Sequence, residues 1–589
     1  MESPRRTRKM SPTEKMVVEA VQDLMKLDQG VTVNQDSNIT ALGGHSILQL
    51  RLASRLSSLT HRRLAVQKVI ENPIVSHLAS AIDADVVENK KAESHKQPPS
   101  HQRDGTEMLG YSRISAIEMY WFQRYRRNLG TSSFNVSHVT KLHPGFDKHQ
   151  ELVSAWNKVL SKHSILRSRF GESEMDGGDV RRTYALEPPK AQHAETLDVQ
   201  ASINTEFHLE TEDPIRVTVS KEHMVICVSH IVCDYTTLNQ LLKEFVATFL
   251  HKNGDGGLCL EPPRRRYQDT TCWNADIDKP TADFWKLYLS GMDHAKLSPY
   301  MKASRTSYQG ESLLFKLTED SASNLERIAG SVYLTPQQVA LAIVSLVLQT
   351  DSATKQDLVL GSPYLGRQEV DMQTNGLFLQ PLPIRIWRQR RPAPEEENIE
   401  GVDEGSLAAF LRGVQQSASM ALGHAIEWGS LMGLLSASED EALHSVADTP
   451  TPNHPLFDAM VTFHENHMHE ANGQVLSATA AAIPGTEPLV SWTEGAKFGI
   501  MFEFSAVGTS ALTLRIEYDT SLFSPDTVRL LAKRIDTGLR WIAQGPPLSR
   551  LEELEFALLD VKDAESWSDR EIFYPYSWVD KYVVSVGGG

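Results

Sequence analysis

Ser229-His230-Ile231-Val232-Cys233-Asp234-Tyr235-Thr236-Thr237 is the stretch on which the reading of this chain turns. The apolar run before it, His223-Met224-Val225-Ile226-Cys227-Val228, predicts a buried strand. The amphipathic run after it, Leu238 to Leu250, predicts a helix. His230 and Asp234 therefore fall where the strand ends, an imidazole at its edge and a carboxylate one turn further on. Loops that follow buried strands commonly hold catalytic groups, and histidine is the usual proton acceptor near neutral pH. Read alone, the same residues also describe a core histidine with its hydrogen bonds satisfied.

Working outward, the chain has 589 residues, enough for three or four compact units at about 100–200 residues each. Its hydrophobic fraction of 41% and charged fraction of 23% are those of a globular protein. The formal net charge of -16 argues against nucleic acid or an anionic membrane as the main partner. The basic clusters Arg5–Lys9, Arg264–Arg266 and Arg388–Arg391 are short and read as solvated loops. The four cysteines, Cys227, Cys233, Cys259 and Cys272, have neither CxxC nor zinc-finger spacing. That pattern predicts no metal and fits a reducing, cytoplasmic setting. No secretory signal is visible at the N-terminus, and no run of about 18 apolar residues predicts a membrane span.

Residues 11–85 read as a small helical unit. Ser11-Pro12-Thr13-Glu14 carries a helix-opening signature, and Met16, Val17, Ala20, Val21, Leu24 and Met25 follow at helical spacing. Leu42-Gly43-Gly44-His45-Ser46 leads into a second helix beginning near Ile47, and Asn72-Pro73 leads into a last one. The glycines allow a sharp turn beside the Ser46 hydroxyl, and a helix N-terminus favours an attached phosphate. A plain helix cap at Ser46 fits the same residues. With its four-helix pattern the unit resembles the peptidyl carrier domain of nonribosomal peptide synthetases. That resemblance implies that Ser46 bears 4′-phosphopantetheine, placed there by a phosphopantetheinyl transferase.

Residues 86–108, charged and proline-containing, read as a linker. Residues 109–560 mix helices and strands, and 561–589 form a tail to which the sequence assigns no role. Two stretches read as loop insertions, 388–404 and 436–452. The segments Lys162 to Phe170, Ser229 to Tyr235, Gly361 to Arg367, Gly376 to Pro383 and Asn453 to Phe463 resemble, in that order, the motifs of the condensation domain of the same synthetases. The family motif His-His-x-x-x-Asp-Gly keeps its second His as His230 and its Asp as Asp234, with Ser229 for the first His and Tyr235 for the Gly.

The resemblance implies an α+β, multidomain fold: a four-helix carrier followed by a two-lobed, chloramphenicol-acetyltransferase-like condensation domain. The lobes are expected at about 109–295 and 296–560, forming a V with a tunnel past His230. It further implies that His230 serves as base or oxyanion stabiliser. Asp234, paired with Arg367, would lock the loop, and Ser229 would support the site. The Ser-His form with Thr237 resembles terminal condensation-like domains of fungal synthetases, which release products by cyclisation. A carrier–condensation pair with no adenylation domain resembles the free-standing, ester-forming enzyme type of the fumonisin pathway. The expected activity is therefore acyl transfer from a thioester on Ser46 to a hydroxyl or amine, foremost to an ester. An adenylation or acyl-CoA ligase type enzyme would load the carrier in trans, and the acceptor would be a polyketide or peptide. Cyclising release and a catalytically silent docking module are the alternatives.

Overall fold

The computed structural model describes residues 10–25, 32–39, 46–60, 64, 68–69, 72–89, 111–127, 129–172, 180–250, 265–270, 277–292, 305–332, 334–351, 357–367, 371–387, 406–437, 454–464, 483–489, 491–507, 511–544, 551–562 and 571–573. Both expected loop insertions lie almost wholly outside these residues.

The carrier region has helices Pro12–Met25, Ser46–Thr60 and Val75–Asn89, the last running four residues past the expected boundary. The first opens on a reciprocal cap. The Glu14 N–H donates to Ser11 Oγ at 3.0 Å, and the Ser11 N–H donates to Glu14 Oε2 at 2.7 Å. Val17 and Val21, one turn apart, meet Leu52, Leu56, Val69, Leu78 and Ile82 in a core separate from that of the large unit.

Among the described residues fifteen strands follow: β1 (Tyr111–Arg113), β2 (Asn135–Leu142), β3 (Ser168–Glu172), β4 (Val180–Tyr184), β5 (Gln192–His193), β6 (Ile215–Val219), β7 (His223–Ser229), β8 (Gly310–Lys316), β9 (Leu358–Leu365), β10 (Leu379–Ile386), β11 (Ala459–His464), β12 (Thr486–Leu489), β13 (Ile500–Val507), β14 (Ala511–Asp519) and β15 (Glu571–Phe573). They form three sheets, ordered β1-β4-β3, β12-β2-β7-β6-β5 and β10-β9-β11-β13-β14-β8-β15. Among the described residues, five of the twelve pairings join consecutive strands, and two of the other seven cross the expected boundaries. β12, from the second half of the chain, pairs antiparallel with β2, Thr486 opposite Leu142 and Leu489 opposite Val139. β15, from the stretch set apart as a tail, pairs with β8 at the sheet edge.

Periodicity explains what each element buries. In the helix His149–Lys162, Leu152, Ala155, Trp156, Val159 and Leu160 form one buried stripe, and Trp156 stacks on Phe245 of the helix Tyr235–Leu250 at 4.6 Å. β13 and β14 alternate instead. Phe502, Phe504, Leu514, Ile516 and Tyr518 are fully buried, whereas Glu503, Arg515 and Glu517 occupy the opposite face. Helices Pro336–Gln349 and Pro525–Gln544 lie against this sheet. One sheet thus has an oily side and a charged side.

Candidate active site

β7 is buried along nearly its whole length and ends at Ser229, itself buried and opposite Asn135 of β2. The next residue, His230, starts a single 3-10 turn and donates its backbone N–H to the Phe134 carbonyl at 2.7 Å. Its ring lies nearly parallel to Trp121, with centroids 5.0 Å apart at 13°. Trp121 is held there by its own helix, Ala116–Arg126, which opens on a Ser115–Glu118 capping box. The Glu118 carboxylate also meets Arg182, and both of those side chains are fully buried. A local cap and a buried ion pair therefore fix the plate against which the histidine leans.

His230 Nδ1 is buried and has no hydrogen-bond partner among the described residues. Burial, and then the nearby Lys497 ammonium, hold the imidazole below the ordinary histidine pKa. The ring is therefore neutral near pH 7, and its Nδ1 is buried without a partner among the described residues. Lys497 reaches this region from the second lobe, its Nζ 2.7 Å from Glu517 Oε2.

The Asp234 carboxylate is taken up by other partners. Its Oδ1 accepts from Arg367 Nη2 at 2.9 Å and from the Thr237 N–H at 2.8 Å. Its Oδ2 accepts from Arg367 Nη2 at 3.2 Å and from the Phe378 N–H at 3.0 Å. Arg367 also donates to Thr237 Oγ1 at 2.8 Å, to the Asp371 carbonyl at 3.0 Å and to the Thr374 carbonyl, and lies over the Phe378 ring. Thr237 completes the clasp by donating to the Gly376 carbonyl at 2.7 Å and accepting the Gly376 N–H. Gly376 has φ +153°, and a Cβ there would stand 2.1 Å from Tyr267 Cδ2, so only glycine fits. The clasp ties the start of the helix Tyr235–Leu250 to the β9–β10 connection, joining the two lobes beside His230. A buried charge pair supported by this many hydrogen bonds fixes geometry, and losing either partner strands the other.

Ser46, in the carrier bundle, is the first residue of the helix Ser46–Thr60. The preceding residues 40–45 lie outside the described set. The helix has no acidic residue in its first turn to repel an anion, and its dipole suits a phosphodiester. The position therefore fits a phosphopantetheine linkage.

The sequence reading passed over the charged face of the large sheet. Glu503 and Arg515 are cross-strand partners 2.5 Å apart, Arg515 lies 3.5 Å from Glu517, and His464 Nε2 lies 3.3 Å from Glu503 Oε1. The Tyr235 ring sits 5.4 Å from that of His464. The signal available was Glu503 alone in an apolar β13 and charges at alternate positions, Arg515, Glu517 and Asp519, in β14. Pairing across strands was not visible.

A carrier bundle joined to a two-lobed unit, with an unpartnered neutral imidazole at a lobe boundary, describes an acyl-transfer module. Residues 114–558 match the model of the condensation domain, and residues 16–82 match that of the phosphopantetheine attachment site. The chain belongs to the condensation-domain family of nonribosomal peptide synthetases, with a carrier domain ahead of it. The carrier's prosthetic group is 4′-phosphopantetheine. Curated relatives include the nonribosomal peptide synthetase aclP of Aspergillus oryzae, 33% identical over 92% of this chain and 31% of that protein. Another is the nonribosomal peptide synthetase ataP of Aspergillus terreus, 32% identical over 94% of this chain and 33% of that protein. The chain thus spans about a third of these relatives. Among solved structures, the X-domain from teicoplanin biosynthesis matches with TM-score 0.60 and 17% identity, covering 78% of this chain and 98% of that one. The condensation domain of the monacolin K polyketide synthase MokA matches with TM-score 0.55 and 16% identity, covering 75% and 99%. These likenesses establish the two-lobed fold. Among the described residues, no helix is long and apolar enough to cross a membrane.

Proposed function

We propose that Ser46 carries the acyl group as a phosphopantetheine thioester and that His230 promotes its transfer to a nucleophilic acceptor, giving an ester or amide in secondary metabolism. The observation that carries this reading is the His230 ring, neutral through burial and with Nδ1 unpartnered at the end of β7. Attack on a thioester requires a proton to leave the nucleophile and negative charge to build on the carbonyl oxygen. A neutral imidazole accepts that proton. The Lys497 ammonium supplies positive potential to the same region. Bound to Ser46, the pantetheine arm supplies the thioester and its reach. Trp121 orients the imidazole, and the Asp234–Arg367–Thr237 clasp holds the loop.

An adenylating or acyl-CoA ligase type enzyme loads the arm in this scheme, and the acceptor is a peptide or polyketide. A second reading, release by cyclisation, is supported by the Ser229-His230 form of the motif with Thr237 in place. The test is the intact mass of Ser46-loaded protein, before and after candidate acceptors are added, in the wild type and in His230→Ala. A new intermolecular product that disappears in the variant upholds transfer. A ring formed from the tethered chain alone upholds release. Equal turnover in His230→Ala removes the histidine from the mechanism.

A further inference from the structure

We propose that His464, oriented by Glu503 and faced by Tyr235, is a second proton acceptor for the acyl-transfer reaction, needed when the acceptor arrives as an ammonium. The inference rests on the acyl-transfer reading of His230.

His464 ends β11 and Glu503 lies on its parallel neighbour β13, where Phe463 pairs with Phe504 and His464 with Ser505. Nε2 of His464 stands 3.3 Å from Glu503 Oε1. An Nε2–H directed at a carboxylate leaves Nδ1 as the basic nitrogen, the orientation a carboxylate gives a catalytic base. Glu503 is fixed in turn by Arg515, so the carboxylate stays ionised, and Arg515 leans on Glu517, which holds Lys497. The His464 and Glu503 side chains retain 28% and 22% exposure, so the pair is open to a ligand, unlike the sealed Asp234–Arg367 pair. Tyr235, five residues after His230, lays its ring 5.4 Å from His464. Burial keeps its phenol protonated. Among the described residues, the charged and titratable groups facing His464 are Glu503 and Tyr235, backed by Arg515, Glu517 and Lys497.

An ammonium acceptor is the case that needs this second base. An alcohol attacking a thioester sheds one proton, and the departing thiolate takes it up. One imidazole, His230, suffices. An ammonium acceptor sheds two. The first must leave before attack, because R–NH3+ has no lone pair. The second leaves as the C–N bond forms and the C–S bond breaks. Written out, acyl–S–pantetheine plus R–NH3+ gives acyl–NH–R plus HS–pantetheine plus H+. The second proton passes through His230 to the thiolate, and the first leaves by way of His464 to solvent. A carboxylate beside the imidazole also attracts the cation and stabilises the imidazolium that forms. Two imidazoles on opposite lobes match the ammonium stoichiometry.

The experiment uses the full chain, loaded on Ser46 with one acyl-pantetheine. It offers either an amino-acid amide or the alcohol of the same skeleton, at pH 6.5 and pH 9. His464→Gln keeps a hydrogen bond to Glu503 but takes no proton. At pH 6.5 it is expected to slow amide formation by about 10²-fold. The loss should shrink towards none at pH 9, above the amine pKa of about 8, while ester formation changes less than about twofold. Overturning results are a rate within twofold of wild type at pH 6.5, an equal loss at both pH values, or an equal loss with the alcohol. If His464→Gln does not fold, the wild type decides. Below pH 8 an uncatalysed deprotonation makes the amide rate at limiting acceptor rise about tenfold per pH unit, which overturns the proposal; a flat rate upholds it. Full transfer by His230→Ala would defeat the reading beneath, whereas a silent His464→Gln defeats only this one.

Discussion

The loop after β7 and the charged face of the β11–β13–β14 sheet each hold a histidine, and they hold it in opposite ways. His230 has an aspartate four residues on, yet that carboxylate is spent on Arg367, Thr237 and Phe378. The imidazole is left with an aromatic plate on one side, and its Nδ1 has no partner among the described residues. His464 has no acidic partner in its own strand, yet finds Glu503 on the next one. Closeness along the chain did not make a dyad, and distance along the chain did not prevent one. The physical reason is the guanidinium. Arg367 is fully buried, an unpaired buried charge costs several kcal/mol, and so it claims the nearest carboxylate.

Replacing His230 tests that contrast hardest. His230→Ala should lower single-turnover transfer from the loaded carrier by about 10²–10⁴-fold, while loading of Ser46, read by intact mass, is unchanged. A smaller fall would shift the burden to His464. The two carboxylates come next. Asp234→Ala strands a sealed guanidinium and should lower unfolding stability by about 3–5 kcal/mol in a denaturant titration. Glu503→Gln, on the partly open face, should cost about 1 kcal/mol. Equal costs would erase the difference between the sealed and the open pair.

Acid should loosen the first lobe next. His138, on the strand beside β7, is buried with its pKa lowered to about 4. The unfolded chain takes up that proton first. The stabilisation is therefore complete above about pH 6.5, and about 3 kcal/mol of it is lost as pH falls towards 4. Melting curves between pH 7 and 4.5, compared with His138→Gln, read this directly, the variant being expected to show the flatter dependence. The smallest effect links the two regions. Lys497 lowers the His230 pKa, so Lys497→Met should raise it and move the acid limb of the transfer profile to higher pH. An unmoved limb would mean that the charged face does not act on the loop.

Much of the loop was legible because its signals are local. An apolar run, a histidine where it ends and a helix start after Asp234 lie within a short span, and the Ser11–Glu14 cap is a four-residue pattern. Trp121, Lys497 and the His464–Glu503 pair were not legible as site residues. Trp121 is brought to His230 by the packing of its helix, and the others by the order β11-β13-β14-β8, which is set by long-range pairing that no window of sequence contains. The same holds for β15, whose Glu571–Phe573 reads as polar-to-aromatic tail until β8 is placed beside it. Tyr235 was visible as a departure from the family motif. Its meaning appeared only with the imidazole opposite.

The pairing of β12 with β2 has a consequence for biogenesis. A ribosome delivers β2, β6 and β7 early, but the strand that covers the outer edge of β2 emerges only after most of the second lobe has been made. Until then Val139, destined to be fully buried, lies at an open strand edge without Leu489 beside it. The nascent first lobe must therefore wait, unfinished and in need of shielding, for its last strand. Expressed alone, residues 109–295 should behave as a sticky fragment, and supplying the missing strand on a separate chain should restore it.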